Sequence, residues 1–579
     1  MRTKDELERL LDEVDRRGYP AYKRLRGVYG LGWMELSVDH VQGDPFAAPS
    51  QVSVRVPAGE AGIPVELLNE PHRRRAVEDL LVRRLSRELA RFSFRAGGSG
   101  KSGLLATSRP GPEILPRSAC EVGEHGDVTL RMEAGFPARG RTADARALGD
   151  MLLDYIPAAV DAALDRDELP EAARRVAELA DDQREIRAQL GRRGLVAYVA
   201  DGAVLPRESG VSARPLKGAK PFRSPDSLAV ELDLPHAGRV RGMGVPEGVT
   251  LIVGGGYHGK STLLRALQEG VYDHIAGDGR ELVATRADAV KLRAEDGRPV
   301  RDADISLFIG DLPDGRDTRR FSTGNASGST SQAAATMEAL GSGCRTLLID
   351  EDTSATNFMV RDELMEAVVA RDAEPVTPFS DRVSDLRDRA GVSCVIVAGS
   401  SGAFFPASDT VIQMQDYEPH DITERARGVC RDRGACEPVR AAGFTLPAGE
   451  PGVRISAAAA GGRGGDGARG VRGGHGSDRL KVRSRGLDEV SVGGGAADLR
   501  LVEQLVDPEQ AAAIAQLIRM GIERGLLDGS RTAPEVSDAL LGLLDREGWS
   551  VISPRGAPAC GLARPRREEL VSTIHRWRS

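Results

Sequence analysis

Short apolar runs bounded by turn residues punctuate the middle of the chain, at 249–253, 346–349, 392–397 and 409–414. Each is too short for a helix and apolar at successive positions, the pattern of a strand covered on both faces of a parallel sheet. Helical spacing lies between and around them. Leu263-Leu-Arg-Ala-Leu267 and the run 333–340 separate the strands. Leu7, Leu10, Leu11 and Val14 predict a helix over 4–17, and further helices are predicted at 73–92, 142–165, 170–190, 508–526 and 532–546. Pro170 opens one of these, where its missing N–H costs nothing. Alternation over 35–56, 115–122 and 127–133 predicts strands. After the helix that begins near Leu263 the chain reads as charged and irregular until Ile305-Ser-Leu-Phe-Ile309.

The loop after the first buried run is Gly254-Gly-Gly-Tyr-His-Gly-Lys-Ser-Thr262. Strand, glycine turn and helix start are the context a phosphate-binding loop needs. Gly254, Gly255, Gly256, Tyr257, His258 and Gly259 would present successive backbone N–H groups to an anion, and the helix N-terminus adds partial positive charge. Lys260 would reach the β- and γ-phosphates, the Ser261 hydroxyl would ligate Mg²⁺, and Thr262 completes the motif. The run 346–349 ends in Asp350-Glu351-Asp352. Acids at the C-terminal tip of such a strand sit where α/β ligands bind. Asp350 is expected to hold Mg²⁺ and Glu351 to polarise an attacking water. Ala398-Gly-Ser-Ser-Gly402, after the run 392–397, is a small-residue loop suited to close approach of phosphate.

A second Gly-Lys-Ser, in Arg95-Ala-Gly-Gly-Ser-Gly-Lys-Ser102, has Arg where the leading Gly belongs and reads as a loop between strands. It is rejected as a second triphosphate site. Length suggests several domains, since the chain has 579 residues. A net charge of −7 removes any global basic signature, so nucleic-acid binding would need a local patch. Candidates are seven arginines within 73–91, the Lys- and Arg-bearing stretch Gly18–Tyr29, and the Gly/Arg-rich low-complexity insertion at about 457–478. Each of them also fits a solvated surface. Six scattered cysteines give no disulfide framework or zinc spacing, and no apolar run spans a bilayer; a cytoplasmic protein is expected.

Several stretches resemble the predicted ATPases of the ABC class. They are Gly242-Met-Gly-Val-Pro246, Thr250–Thr262, Ala326-Ser-Gly-Ser-Thr-Ser-Gln-Ala-Ala334, Leu348–Phe358 and Glu374-Pro-Val-Thr-Pro378, with support from Gly18–Tyr29 and Val502–Asp507. The resemblance implies an α/β fold: an ABC-type P-loop nucleotide-binding domain flanked by an α+β N-terminal domain and a small mixed C-terminal domain. The expected boundaries are 1–200, a linker at 201–226, the ATPase at 227–435, and 436–579. The resemblance further implies a homodimer in which Ser327, Gly328 and Ser329 of one copy contact the γ-phosphate held by the other's P-loop. ATP and Mg²⁺ would be the cofactors. The chain departs from ordinary ABC proteins in having no Gln between Gln268 and Gln332 and no His between His274 and His420. Asp311 stands near the place of the missing glutamine, where it would be a third Mg²⁺ ligand, and Ser400 or Ser401 near that of the missing histidine. Slow hydrolysis is therefore expected, because a hydroxyl cannot carry the charge of an imidazolium. Some members resembled are RNA-associated, which favours RNA as the partner of an ATP-driven clamp; a protein partner is the alternative, and a membrane role is not expected.

Overall fold

The computed structural model describes residues 1–310, 312–361, 368–369, 374–446, 452–453, 480–554 and 556–577. The chain divides into two units, Met1–Arg184 with Glu547–Arg564, and Glu185–Arg546 with Pro565–Ser579.

The first unit is α+β. Its helix Lys4–Val14 starts at a capping box, in which the Thr3 hydroxyl accepts from the Glu6 amide and the Glu6 carboxylate accepts from the Thr3 amide. A sheet of strands Arg2–Thr3, Gly27–Gly30, Glu35–His40, Ser50–Val56, Val128–Ala134 and Leu105–Ala106, in that order, carries Cys120–Val122 as a further partner of Val128–Ala134. Ser50–Val56 and Val128–Ala134 bury alternate positions, as expected for strands with one face on the core. Tyr19, Tyr22 and Tyr29 are fully buried, with the Tyr19 and Tyr22 hydroxyls donating to the Phe136 and Pro137 carbonyls. The tyrosines of 18–29 are thus core edge, while Lys23, Arg24 and Arg26 stay exposed.

The arginine-rich segment is the helix Pro71–Phe92. Its cations are largely engaged by acids of the same unit: Arg73 with Asp181, Arg83 with Asp79, Arg84 with Glu168, and both Arg87 and Arg91 with Glu88. The loop 95–102 follows this helix, not a strand as expected, and the short strand Leu105–Ala106 comes after it. Ser102 is buried there, accepting from the Ala138 amide and donating to the Ser99 carbonyl, so the second Gly-Lys-Ser is bound up in its own turn.

The second unit carries the nucleotide motifs. A six-stranded sheet runs Ala289–Leu292, Thr346–Asp350, Ser393–Val397, Val249–Val253, Thr410–Gln415, Glu418–Asp421. All neighbours are parallel except the last pair, which is an antiparallel hairpin. Thr346–Asp350 and Ser393–Val397 are buried at every position, which explains their continuous apolar sequence. Helices Lys260–Glu269, Gly328–Gly341 and Val383–Ala390 belong to this layer. The stretch after the first helix is not irregular as expected. It forms strands Asp273–His274, Val283–Thr285, Ala289–Leu292 and Val300–Ala303, too short and too charged to show a period.

A second sheet orders Ala229–Leu234, Gly238–Pro246, Leu195–Ala200 and Val283–Thr285. Residues 201–226 are hydrogen-bonded into this unit: the amides of Gly202 and Val204 donate to the carbonyls of Phe222 and Gly279, and Arg207 pairs with buried Asp278 at 2.8 Å. Toward the C-terminus, a three-stranded sheet, 482–485, 489–492 and 495–498, lies against the helix Pro508–Glu523. The Gly/Arg-rich insertion lies outside the described residues.

Candidate functional site

The site forms at the C-terminal ends of the parallel strands. Val249–Val253 delivers the glycine loop, and the chain must reverse within it before Lys260 opens the helix. Gly254 has φ +142° and Gly259 φ +95°, both in the region L side chains avoid. A Cβ on Gly254 would lie 2.4 Å from the Met414 carbonyl oxygen, so only glycine fits. Lys260 Nζ donates to the Gly254 and Gly255 carbonyls at 2.7 and 2.9 Å, curling back over the cradle whose anion it is suited to meet. The His258 ring lies beside Gly255, and its Nδ1 accepts from the Asp416 amide at 2.9 Å. Tyr257 is almost wholly exposed.

One strand separates the glycine loop's strand from that of the acids. Asp350 ends Thr346–Asp350, and its carboxylate caps the following turn by accepting from the Asp352 amide. Burial pushes the Asp350 carboxyl up, while the Asp352 amide, the Lys291 ammonium and the Ser261 hydroxyl favour its ionised form. A hydroxyl and a carboxylate meeting at a helix N-terminus are hard oxygen donors, the set that suits Mg²⁺. Asp311, the third expected ligand, lies outside the described residues.

Glu351 reaches across to the loop that follows Ser393–Val397. Its carboxylate accepts from the Gly399 amide at 2.7 Å, the Ser400 amide at 3.1 Å and the Ser400 hydroxyl. Burial pushes this carboxyl up, but the Ser400 hydroxyl and the amides of residues 399–401 outweigh it and hold it below the usual range. Glu351 is therefore a carboxylate at neutral pH. Gly399 also borders the cradle, since a Cβ there would come 4.0 Å from Lys260 Nζ. Glycine loop, acids and the 398–402 loop are thus one cluster.

Ser327 and its neighbours open a helix of the same unit. Ser327 caps the helix Gly328–Gly341, its hydroxyl accepting from the Thr330 amide. The Ser329 hydroxyl donates to Asn357 Oδ1 at 2.7 Å. Gly328 is close-fitted, since a Cβ would meet Asp296 and Ala355 at 3.3 and 3.4 Å. These residues are thereby tied to the turn that carries the acids.

Sequence reasoning missed two residues that make this tie. Buried Gln332 donates to the Ser354 hydroxyl and accepts from the Ala355 amide, both at 2.9 Å, and Ser354 donates to the Asp350 carbonyl. Lys291, on the strand beside Asp350's, donates to Thr353 Oγ1 at 3.3 Å and pairs with Glu503 at 3.7 Å. A buried glutamine inside the run 326–334 was the available signal for the first. The second had none, because Lys291 and Glu503 are far apart in sequence.

Three family matches meet this geometry. The P-loop domain of ABC ATPases matches residues 170–443, the ABC-class ATPase N-terminal region matches 4–167, and the MRB1590 C-terminal domain matches 481–579. The chain belongs to the ATPases of the ABC class. A curated relative, the uncharacterized protein MJ1628 of Methanocaldococcus jannaschii, is 30% identical over 247 residues, 41% of this chain and 54% of the relative. The chain thus spans about half the length of that relative.

Among solved structures, similarity is found to a bacterial Atm1-family ABC exporter with ATP bound, at 15% identity over 51% of each chain and a TM-score of 0.25. The ADP form of MJ1267, an ATP-binding cassette of an ABC transporter, matches at 14% identity over 34% of this chain and 89% of that one, with a TM-score of 0.23. At such scores neither superposition carries weight. As an ABC-class P-loop ATPase the protein has a family association with ATP hydrolysis. Among the described residues no helix is long and apolar enough to cross a membrane.

Proposed function

We propose that the protein binds ATP with Mg²⁺ and hydrolyses it between two copies of the chain, closing and opening as a clamp. The observation that carries this reading is the single cluster of Lys260, Glu351 and Ser400 around the glycine loop. Gly254–Thr262 would cradle the phosphates, and Lys260 would leave the Gly254 and Gly255 carbonyls for phosphate oxygen. Ser261 and Asp350 would hold the Mg²⁺, which when bound neutralises charge on the phosphate oxygens. Glu351, kept ionised by Ser400 and the amides of 399–401, would orient a water and accept its proton. Ser401 contributes its amide to the same carboxylate.

Ser327 caps its own helix, and the Ser329 hydroxyl is bonded to Asn357 just after the acids. In the proposed homodimer they would complete the partner's site, so that γ-phosphate bridges two chains and ADP does not. Closure would then follow from a contact made in one nucleotide state only. Lys260→Ala is expected to abolish ATP binding, and Glu351→Gln to keep binding, stop hydrolysis and hold a dimer in ATP. A Glu351→Gln protein that stays monomeric at saturating ATP would remove the clamp.

RNA is the target that the basic segments suggest. A second reading, a protein partner, is favoured by the ion pairs that engage the arginines of Pro71–Phe92. Labelled RNA shifted at low salt by the ATP-bound Glu351→Gln protein would support the first. A partner retained through nuclease treatment, with no RNA shift, would support the second.

A further inference from the structure

Among the described residues, six other than glycine have positive φ: Arg16, Phe94, Tyr257, Asp302, Asp416 and Tyr417. Three of them lie in the glycine loop or touch it. Gln415 and Glu418 are cross-strand partners, so Asp416 and Tyr417 alone form the hairpin loop between the last two strands of the sheet. With φ of 51° and 67°, both central residues have the signs of a type I′ turn. Such a turn favours Asn-Gly, and an aromatic side chain at its second position is strained. Core packing does not explain the tyrosine, because Tyr417 is 55% exposed. Its location is specific, however. The Asp416 amide is fixed to His258 of the glycine loop, and Tyr417 Cδ1 would lie 3.0 Å from a Cβ built on Gly259. Strain maintained beside a binding loop is a mark of function.

Sheet order supplies the direction. Asp350, Glu351 and Ser400 lie on one side of the strand Val249–Val253, Ser400 after the adjacent strand Ser393–Val397 and the acids at the tip of the strand beyond it. The strand Thr410–Gln415 and its hairpin lie on the other side. A nucleotide whose terminal phosphate faces the acids must leave the glycine loop, nucleoside end first, toward the hairpin. We infer that Tyr417 is the platform on which the nucleotide's base stacks, with the Asp416–His258 bond holding the hairpin against the loop. The assignment rests on the nucleotide reading of the glycine loop. A ring face accepts any purine, so Tyr417 provides affinity for the base rather than a choice between bases.

The test compares the Mg²⁺ complexes of ATP and of inorganic tripolyphosphate, which has the phosphates and no base, by calorimetry on the full chain. Tyr417→Ala is expected to weaken ATP by roughly 5- to 100-fold, the range of base stacking, and to leave tripolyphosphate unchanged. Tyr417→Phe should bind ATP like the wild type. Tyr417→Gly restores the residue the turn prefers, so it should melt at a higher temperature and still lose ATP affinity. ATP binding by Tyr417→Gly within about twofold of wild type would overturn the inference, as would equal losses for both ligands. A wild-type protein that binds tripolyphosphate as tightly as ATP would also overturn it while sparing the phosphate site. If the wild type bound neither ligand, the nucleotide reading itself would fall.

Discussion

Glu351 and Ser400 are joined by a side-chain hydrogen bond, hydroxyl to carboxylate, in addition to the Ser400 amide at 3.1 Å from the same carboxylate. Two strand tips far apart in sequence are linked by it. Removing the hydroxyl leaves the amides but loses one charge-assisted bond, an interaction that typically contributes about 1.5–3 kcal/mol. Ser400→Ala is therefore expected to slow ATP hydrolysis by about tenfold or more with ATP affinity kept, because the hydroxyl acts on the carboxylate. Ser401→Ala should have a smaller effect, since Ser401 engages Glu351 through its backbone. Steady-state kinetics of both variants checks this; equal effects would sink it.

Gly254 tolerates no side chain. A Cβ would meet the Met414 carbonyl at 2.4 Å, and the φ of +142° would be strained in any case. Gly254→Ala is expected to lower Tm by several degrees and to abolish ATP binding, because the first turn of the cradle must move. Thermal melts with and without ATP read both effects.

The Ser329–Asn357 bond and the two bonds of Gln332 join the helix Gly328–Gly341 to the acid-bearing turn. Gln332→Leu leaves the part-buried Ala355 amide and Ser354 hydroxyl without that partner, at a cost of about 1 kcal/mol. A double-mutant cycle on Ser329→Ala and Asn357→Ala should give a coupling of about 0.5 kcal/mol or more by urea unfolding. A coupling of zero would show that the bond contributes nothing to the tie.

Lys291 connects that same turn to Glu503. Lys291→Met removes the cation and its hydrogen bond to Thr353. The expected result is reduced hydrolysis with a smaller change in ATP affinity, and a loss of stability of roughly 1–3 kcal/mol for a buried polar partner left behind. Glu503→Gln should act in the same direction and more weakly, because the Lys291–Thr353 bond survives.

Glu78, on the helix Pro71–Phe92, accepts from the Val122 amide at 2.9 Å. Burial pushes its carboxyl up to about 7, against the lowering effect of that amide. A carboxyl raised on folding favours the native state below its unfolded pKa of about 4.5, and that contribution is lost as pH rises toward 7. Glu78→Gln keeps the acceptor without the charge. It should raise Tm at pH 8 and change it less at pH 5; the reverse order would refute the assignment.

Much of the site was legible because its parts are local. The glycine loop announces itself through residues spaced for one turn, and the acids follow directly on a buried strand. The arginine helix was legible too, but whether its cations were free was not, because Asp181 and Glu168 arrive from elsewhere in the chain. Likewise, the strands at 273–303 escaped detection because each is only two to four residues long, too short to show a period of its own.

By itself, then, the sequence determined which segments bend, which strands are covered on both faces, and that a glycine loop and acids stand at strand ends. These depend on backbone freedom and on apolar runs of a few residues, which neighbours in sequence set. Only the tertiary structure decided that Ser400 serves Glu351, that Gln332 and Lys291 brace the acid turn, and that Tyr417 overlies Gly259. Those contacts come from strand order, and strand order is a choice among long-range pairings that no local spacing encodes.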